Sequence, residues 1–248
     1  MNLRQELLNK NKPRHQFHDS ESLAWLAYNR PNYLLNQYQF ERLLLKTIDR
    51  EKPWVKCEDC WFTSDLIKDG IHGFRHVCRV AIYSILIALR EKPTISREEI
   101  NVLVYIALLH DCRRKNDNTD PRHGIRAVRW LYKNRYLIPK DLTSFYQAIK
   151  FSIEVHNDNY SKIVENKNYK KFKFFVDILK TADALDRYRF PRTDWWICDK
   201  FIVLAPDQRE MAFAYDFVLE SESLFVFNKN NRVSIEQSWK KLNKTHKI

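Results

Sequence analysis

The sequence predicts a mainly all-α protein, and three observations lead there. Glycine is scarce, at 3 residues in 248, which disfavours a turn-rich all-β fold and leaves no Gly-rich phosphate loop. Apolar residues recur at helical spacing through most of the chain. Helix-start signals stand ahead of several of those apolar runs.

The elements follow in order. Leu3 to Leu8 fits a short helix. Ser20-Glu-Ser-Leu opens a second, ended by Pro31. Tyr38 to Ile48 gives the clearest early pattern, with Phe40, Leu43, Leu44 and Ile48 on one face. His15 and His18 flank Phe17 in a polar stretch and read as surface histidines. Residues 61–70 form a connector ending in Gly70. From Phe74 to Leu89 the pattern is a helix apolar nearly all round, hence buried. Ser96 with Glu99 is a capping box for the next helix, and Ile100 to Leu109 is its buried run. Asp120-Pro121 reads as cap and first residue of a helix carrying Ile125, Val128, Leu131 and Tyr132. Pro139 and Asp141 open another, with Phe145, Ile149, Ile153 and His156 about four apart. Tyr169 to Arg187 is a long helix. Asp183 falls within its apolar stretch, and Asp186 reads as solvated. After Pro191 the segments Phe201 to Leu204 and Phe213 to Phe227 turn aromatic and β-branched, which suggests a small β-hairpin. The organisation expected is an N-terminal helical extension (1–70), a core (71–190) and a basic C-terminal extension packed on it (191–248).

Composition sets limits. The formal net charge is +12. Residues 162–180 hold six lysines, Lys180 among them, against two acids, and the tail from Lys229 to Lys247 has six bases and one acid. A solvated lysine-rich surface is the ordinary reading of such runs, and attraction of phosphate-bearing partners is the functional one. The N-terminus has no apolar stretch of signal length. The longest nearly uncharged run, Val80 to Leu89, is too short to cross a bilayer. A cytoplasmic protein with no membrane contact is expected. Five cysteines is an odd count. Cys57 and Cys60 have the spacing of half a zinc site, but no second Cys-x-x-Cys exists. Together with isolated Cys78, Cys112 and Cys198 they read as reduced thiols.

The chemistry centres on residues 107–124. An apolar run ends in His110 and Asp111, then polarity switches through Arg113, Arg114, Lys115, Asn116, Asp117 and Asp120 to His123. Adjacent helical residues point about 100° apart. His110 and Asp111 therefore share one ion only at a helix end or in a groove. A buried carboxylate needs a partner, either a divalent cation or an arginine. Buried helices present, in order, His76, His110, Asp111, His123, His156 and Asp183. Imidazole and carboxylate ligands suit Mn, Fe, Ni, Co or Zn better than Ca, with Mg admitted.

This ordered set resembles the HD-domain metal-dependent phosphohydrolases, whose pattern is a His, a His-Asp doublet and an Asp, all on helices. His76, His110, Asp111 and Asp183 match it one by one. The stretch from His72 to Val80 is similar to the opening of small bacterial HD hydrolases. The stretch from His110 to Gly124 is similar to a subgroup whose doublet leads into Arg, Asn-Asp and His-Gly, with departures at Cys112, Lys115 and Asn118. The resemblance covers about residues 71–187, under half the chain. It implies an HD-type helical bundle and one or two divalent transition-metal ions. His76, His110, Asp111 and Asp183 would be ligands, and His123 and His156 would hold a second metal or act catalytically. Arg79, Arg113, Arg114 and Lys115 are the expected phosphate binders, and His72, Asn116 and Asp117 the pocket rim.

The activity implied is hydrolysis of a phosphate ester, a nucleotide first among them, by a metal-activated water. Nucleic acid is a further partner class, and the oligomeric state is open. Two other readings stand beside it: a non-catalytic nucleotide- or nucleic-acid-binding HD protein, and an HD-type di-iron oxygenase.

Overall fold

The computed structural model describes residues 1–9, 11–197 and 202–245. Among them the regular elements are all helical, with no strand. Cys198, Phe201 and Lys247 lie outside the described residues.

Four short helices and α5 precede the centre of the molecule: α1 (Leu3–Leu8), α2 (Ser20–Tyr28), α3 (Arg42–Glu51), α4 (Pro53–Lys56) and α5 (Asp65–Asp69). α3 starts four residues later than the spacing suggests. Tyr38 and Phe40 lie in the loop before it and pack edge-on against Phe213. The expected connector at 61–70 contains α5, capped by the Ser64 hydroxyl, which accepts from the Ile67 amide.

α6 (Phe74–Glu91) is the axis of the fold. Every residue from Phe74 to Ala88 is buried. It packs against α7 (Arg97–Leu109), α11 (Lys167–Leu185), α12 (Gln208–Asn228) and α13 (Asn231–Thr245). An all-round apolar helix has no solvated face and must be surrounded. Gly73, at its N-cap, is a true close approach: a Cβ there would stand 1.9 Å from the Lys68 carbonyl oxygen. α7 begins at the Ser96–Glu99 capping box, and both of its reciprocal bonds form, at 3.1 Å each.

α8 (His123–Lys133), α9 (Tyr146–Val155) and the short α10 (Tyr160–Ile163) complete the set. α8 begins at His123, not at Asp120-Pro121. The Asp120 carboxylate is drawn away from a capping role, because it accepts from the Lys115 amide at 2.9 Å and pairs with Arg126.

Among the described residues the expected hairpin is absent. Residues 213–227 lie within α12, itself started by an Asp207–Glu210 capping box. Phe213, Phe217 and Phe225 recur on a helical period. Tyr215 and Val218 are also buried, because α12 packs on both α6 and α2. Burial on several sides mimics alternation. One hydrophobic cluster joins Leu23 and Trp54, the α6 and α7 residues, and Phe213, Ile235 and Trp239, so both terminal segments share the central core.

Candidate metal centre

Five helices converge on one point. α6 presents His76 from its first turn. His110 is the C-cap of α7 and Asp111 is the next residue, past the helix end, so the adjacent pair turns toward one locus. His123 is the first residue of α8, His156 caps the end of α9, and Asp183 lies in the last turn of α11. Five of these side chains are essentially sealed, and Asp183 is one-third exposed.

The distances divide the cluster in two. His76 Nε2 lies 3.2 Å from His110 Nε2 and 3.5 Å from both Asp111 Oδ2 and Asp183 Oδ1. His123 Nε2 lies 2.8 Å from Asp111 Oδ1 and 2.7 Å from His156 Nε2, which is itself 3.6 Å from Asp111 Oδ1. Asp111 therefore turns one oxygen to each group. Potential ligand atoms lie within 4.8 Å of one another in three sets: His72, His76 and Asp111; His76, His110 and Asp183; His110, Asp111 and His156.

Hydrogen bonding decides what this cluster can hold. His110 Nδ1 lies 2.6 Å from the Ala107 carbonyl and His156 Nδ1 lies 2.7 Å from that of Ile153. His123 Nδ1 meets the Asp120 carbonyl, and His76 Nδ1 lies 2.7 Å from Asp186 Oδ2. Each Nδ1 thus carries the ring proton, and a neutral ring leaves Nε2 bare. Burial favours the neutral form: it pushes His110 down to about 3 and lowers His156 as well. Burial would raise Asp111, but the Arg114 guanidinium leads the neighbours that outweigh it and hold the carboxyl well below its usual range. Asp111 Oδ1 is buried without a hydrogen-bond donor. His123 Nε2 does not supply one, having no hydrogen in this tautomer. Four lone pairs and two carboxylates face each other, an arrangement of acceptors that a divalent cation satisfies.

Two of the small features are specific. Gly124 lets α8 approach α9: a Cβ there would stand 2.5 Å from the Ile153 carbonyl oxygen and 3.3 Å from His156 Nδ1. Lys180, expected on a solvated basic surface, is buried instead. Its ammonium donates to the carbonyls of His156 and Asp158 at 2.9 and 2.6 Å and secures the end of α9.

The expected phosphate binders separate. Arg79 is fully buried behind His76, with its guanidinium on Asp186, Glu222 and Ser221. It cannot reach a substrate there, which corrects the expectation. Arg113 donates to the Trp61 carbonyl and lies over Trp130. Arg114 is buried 3.5 Å from Asp111 Oδ2 and donates to the carbonyls of Asn116 and Asn118. Lys115 is exposed. The Asn116 side chain accepts from the Asn118 amide.

His72 Nδ1 stands between Asp111 Oδ2 at 3.1 Å and Arg189 Nη2 at 3.0 Å. It also lines a cleft of about 710 Å³ with Lys12, Gln16, Asp117, Phe190 and Trp195. Asp117 accepts from the Gln16 amide at 2.8 Å, and burial raises its carboxyl to about 7.

Three participants escaped the sequence reading. Asp186, expected on a solvated face, is 0% exposed. α11 ends at Leu185, so the helical projection no longer applies one residue later. Arg189 is buried among Asp183, Asp186 and Asp111, and no local pattern marks it. His18, expected at the surface, is also buried, and burial lowers its imidazole to about 4. The free thiols include buried Cys57, Cys78 and Cys112 and exposed Cys60.

No family model, curated protein or solved structure matches this chain. No helix among the described residues is long and apolar enough to cross a membrane.

Proposed function

We propose that the chain is a metal-dependent hydrolase of phosphate esters, of the HD-domain kind, acting on nucleotides or related small phosphates. The observation that carries the reading is the Asp111 carboxylate between two pairs of imidazoles, each with its Nδ1 on a carbonyl or carboxylate oxygen and its Nε2 turned inward. That donor set fits one cation at His76, His110, Asp111 and Asp183, and a second at Asp111, His123 and His156. A bound cation of this type lowers the pKa of water to around 7 and takes up charge on a phosphoryl oxygen.

The chain's own residues supply the rest. Asp183 is the one partly open acid of the set, and His76, His110 and Arg189 hold its carboxyl well below the usual range, so its free oxygen can orient a water as an acceptor. Arg114 and Arg189 place fixed positive charge beside Asp111 and His72, where a phosphate entering past His72 would meet it. Arginine suits this task through its planar fork of donors. The cleft walled by Lys12, Gln16, Phe190 and Trp195 has room and aromatic surface for the ester's organic part. The enclosed His123 and His156 lie on the far side of Asp111.

The test is elemental analysis of the purified chain and of the His110→Ala/Asp111→Ala variant, with turnover of nucleotides and a generic phosphodiester in Mn²⁺. About one or two transition-metal ions per chain, lost in the variant together with hydrolysis, are expected. Metal-loaded protein that hydrolyses none of these substrates, releasing neither phosphate nor the alcohol of the phosphodiester, would overturn the hydrolase reading. Iron-dependent oxygen consumption in its place would make the chain an oxygenase.

A further inference from the structure

His76 is tied to a buried chain of charges that leaves the metal centre. Its Nδ1–H donates to Asp186 Oδ2 at 2.7 Å. Arg79 grips the same carboxylate, Nε to Oδ1 at 2.6 Å and Nη2 to Oδ2 at 3.0 Å. Arg79 Nη1 donates to Glu222 Oε1 at 2.6 Å, and Arg75 Nε donates to Glu222 Oε2 at 2.9 Å. Arg75 in turn donates to the Asn231 side chain. From His76 to Glu222 no member is more than 1% exposed. The path thus leads from α6 to the end of α11, back through α6, and out to α12 and α13.

Two arginines and two carboxylates buried together are a weak source of stability, since apolar replacements of such networks are often neutral or stabilising. Their chemistry points to the ligand at the end of the path. A carboxylate that accepts the outer N–H of a metal-binding imidazole fixes the ring and raises the basicity of the nitrogen facing the metal. How strongly Asp186 does so depends on how much of its charge Arg79 claims. Glu222 is the second anion on Arg79, so it shares that cation and leaves Asp186 freer to act on His76.

We propose that Glu222 is a positioning residue for the metal centre, acting through Arg79 and Asp186 on His76. The proposal rests on His76 being a metal ligand. It gives α12, far from every ligand in sequence, control over how tightly the ion is held.

The experiment titrates full-length protein with Co²⁺ and, separately, melts the metal-free protein. Glu222→Gln is expected to weaken Co²⁺ binding by about five- to tenfold, one step removed from the 10–100-fold typical of a direct outer partner. Glu222→Asp, which keeps the charge, is expected to recover affinity to within about twofold of wild type. Arg75→Met/Glu222→Gln removes one charge of each sign and so spares the fold from an unpaired buried cation. It is expected to show the same loss of affinity, and it decides the matter if Glu222→Gln alone does not fold.

Asp177→Asn is the control. Asp177 is a buried carboxylate on α11 that accepts from Tyr160 and Tyr169 at 3.0 Å, away from the ligand path. Its loss should lower the melting temperature and leave Co²⁺ affinity unchanged. Wild-type affinity in Glu222→Gln and in Arg75→Met/Glu222→Gln, with only the melting temperature lowered, would overturn the proposal and leave the metal reading standing. Wild-type protein that binds no Co²⁺ would overturn both.

Discussion

At the scale of single residues, Gly124 and His18 make the sharpest claims. Gly124 has no room for a methyl group between α8 and α9. Gly124→Ala would push His123 away from His156, so in the proposed two-ion arrangement the expected result is selective loss of the ion on that side. Metal stoichiometry should fall by about one ion per chain while the His76–His110 side stays loaded. Loss of neither ion, or of both, would contradict the division of the cluster. His18 adds a pH dependence. Burial, reinforced by Arg75 and Arg79 against the opposing Glu222, holds its imidazole down to about 4, against about 6.5 in an unfolded chain. Between those values the unfolded state binds the extra proton, so stability falls as pH drops from about 6.5 to 4. In chelator-treated protein, His18→Gln should remove up to about 3 kcal/mol of that acid loss, measured by denaturant unfolding at both ends of the window.

At the scale of elements, helix ends do most of the positioning. His110 and His156 are C-caps and His123 is an N-terminal helical residue. Candidate ligands from three helices meet because α7 and α9 end, and α8 begins, at the same place. α7 owes its start to Ser96, whose hydroxyl accepts from the Glu99 amide at 3.1 Å. Ser96→Ala should cost about 1 kcal/mol, a drop of roughly 2–4 °C in melting temperature for a chain of this size. Metal content should not change, because the candidate ligands His110 and Asp111 sit at the other end of α7. A Ser96→Ala protein that loses its ion would show that the helix as a whole, and not its last turn, holds His110 in place.

At the scale of the whole molecule, α12 and α13 belong to the core. Trp239 is 1% exposed, packs edge-on against Phe213 and donates to Asp49 Oδ1 at 2.7 Å. Trp239→Ala should cost about 3–5 kcal/mol through the cavity it leaves, lowering the melting temperature by roughly 10 °C. Removing everything after residue 206 would strip the cover from α6 and break the path from His76 to Glu222. Such a fragment should show no cooperative thermal transition by circular dichroism. A sharp transition near that of the full chain would mean that the core closes without its C-terminal helices.

The sequence by itself determined the all-α class, the Ser96 capping box, the enclosed helix from Phe74, and the order in which histidines and acids arrive on helices. These are local properties, written in spacing and caps within a few residues. Only the tertiary structure decided that Asp111 faces two imidazole groups, that Asp186 and Arg79 lie buried behind His76, and that Lys180 secures His156. It also decided that residues 213–227 are helical. Each of these outcomes depends on partners from distant segments: Glu222 for Arg79, His76 for Asp186, α6 and α2 for α12. A charged side chain is soluble or buried according to whether an opposite charge waits for it in the fold. That partner is set by packing, which local periodicity does not encode.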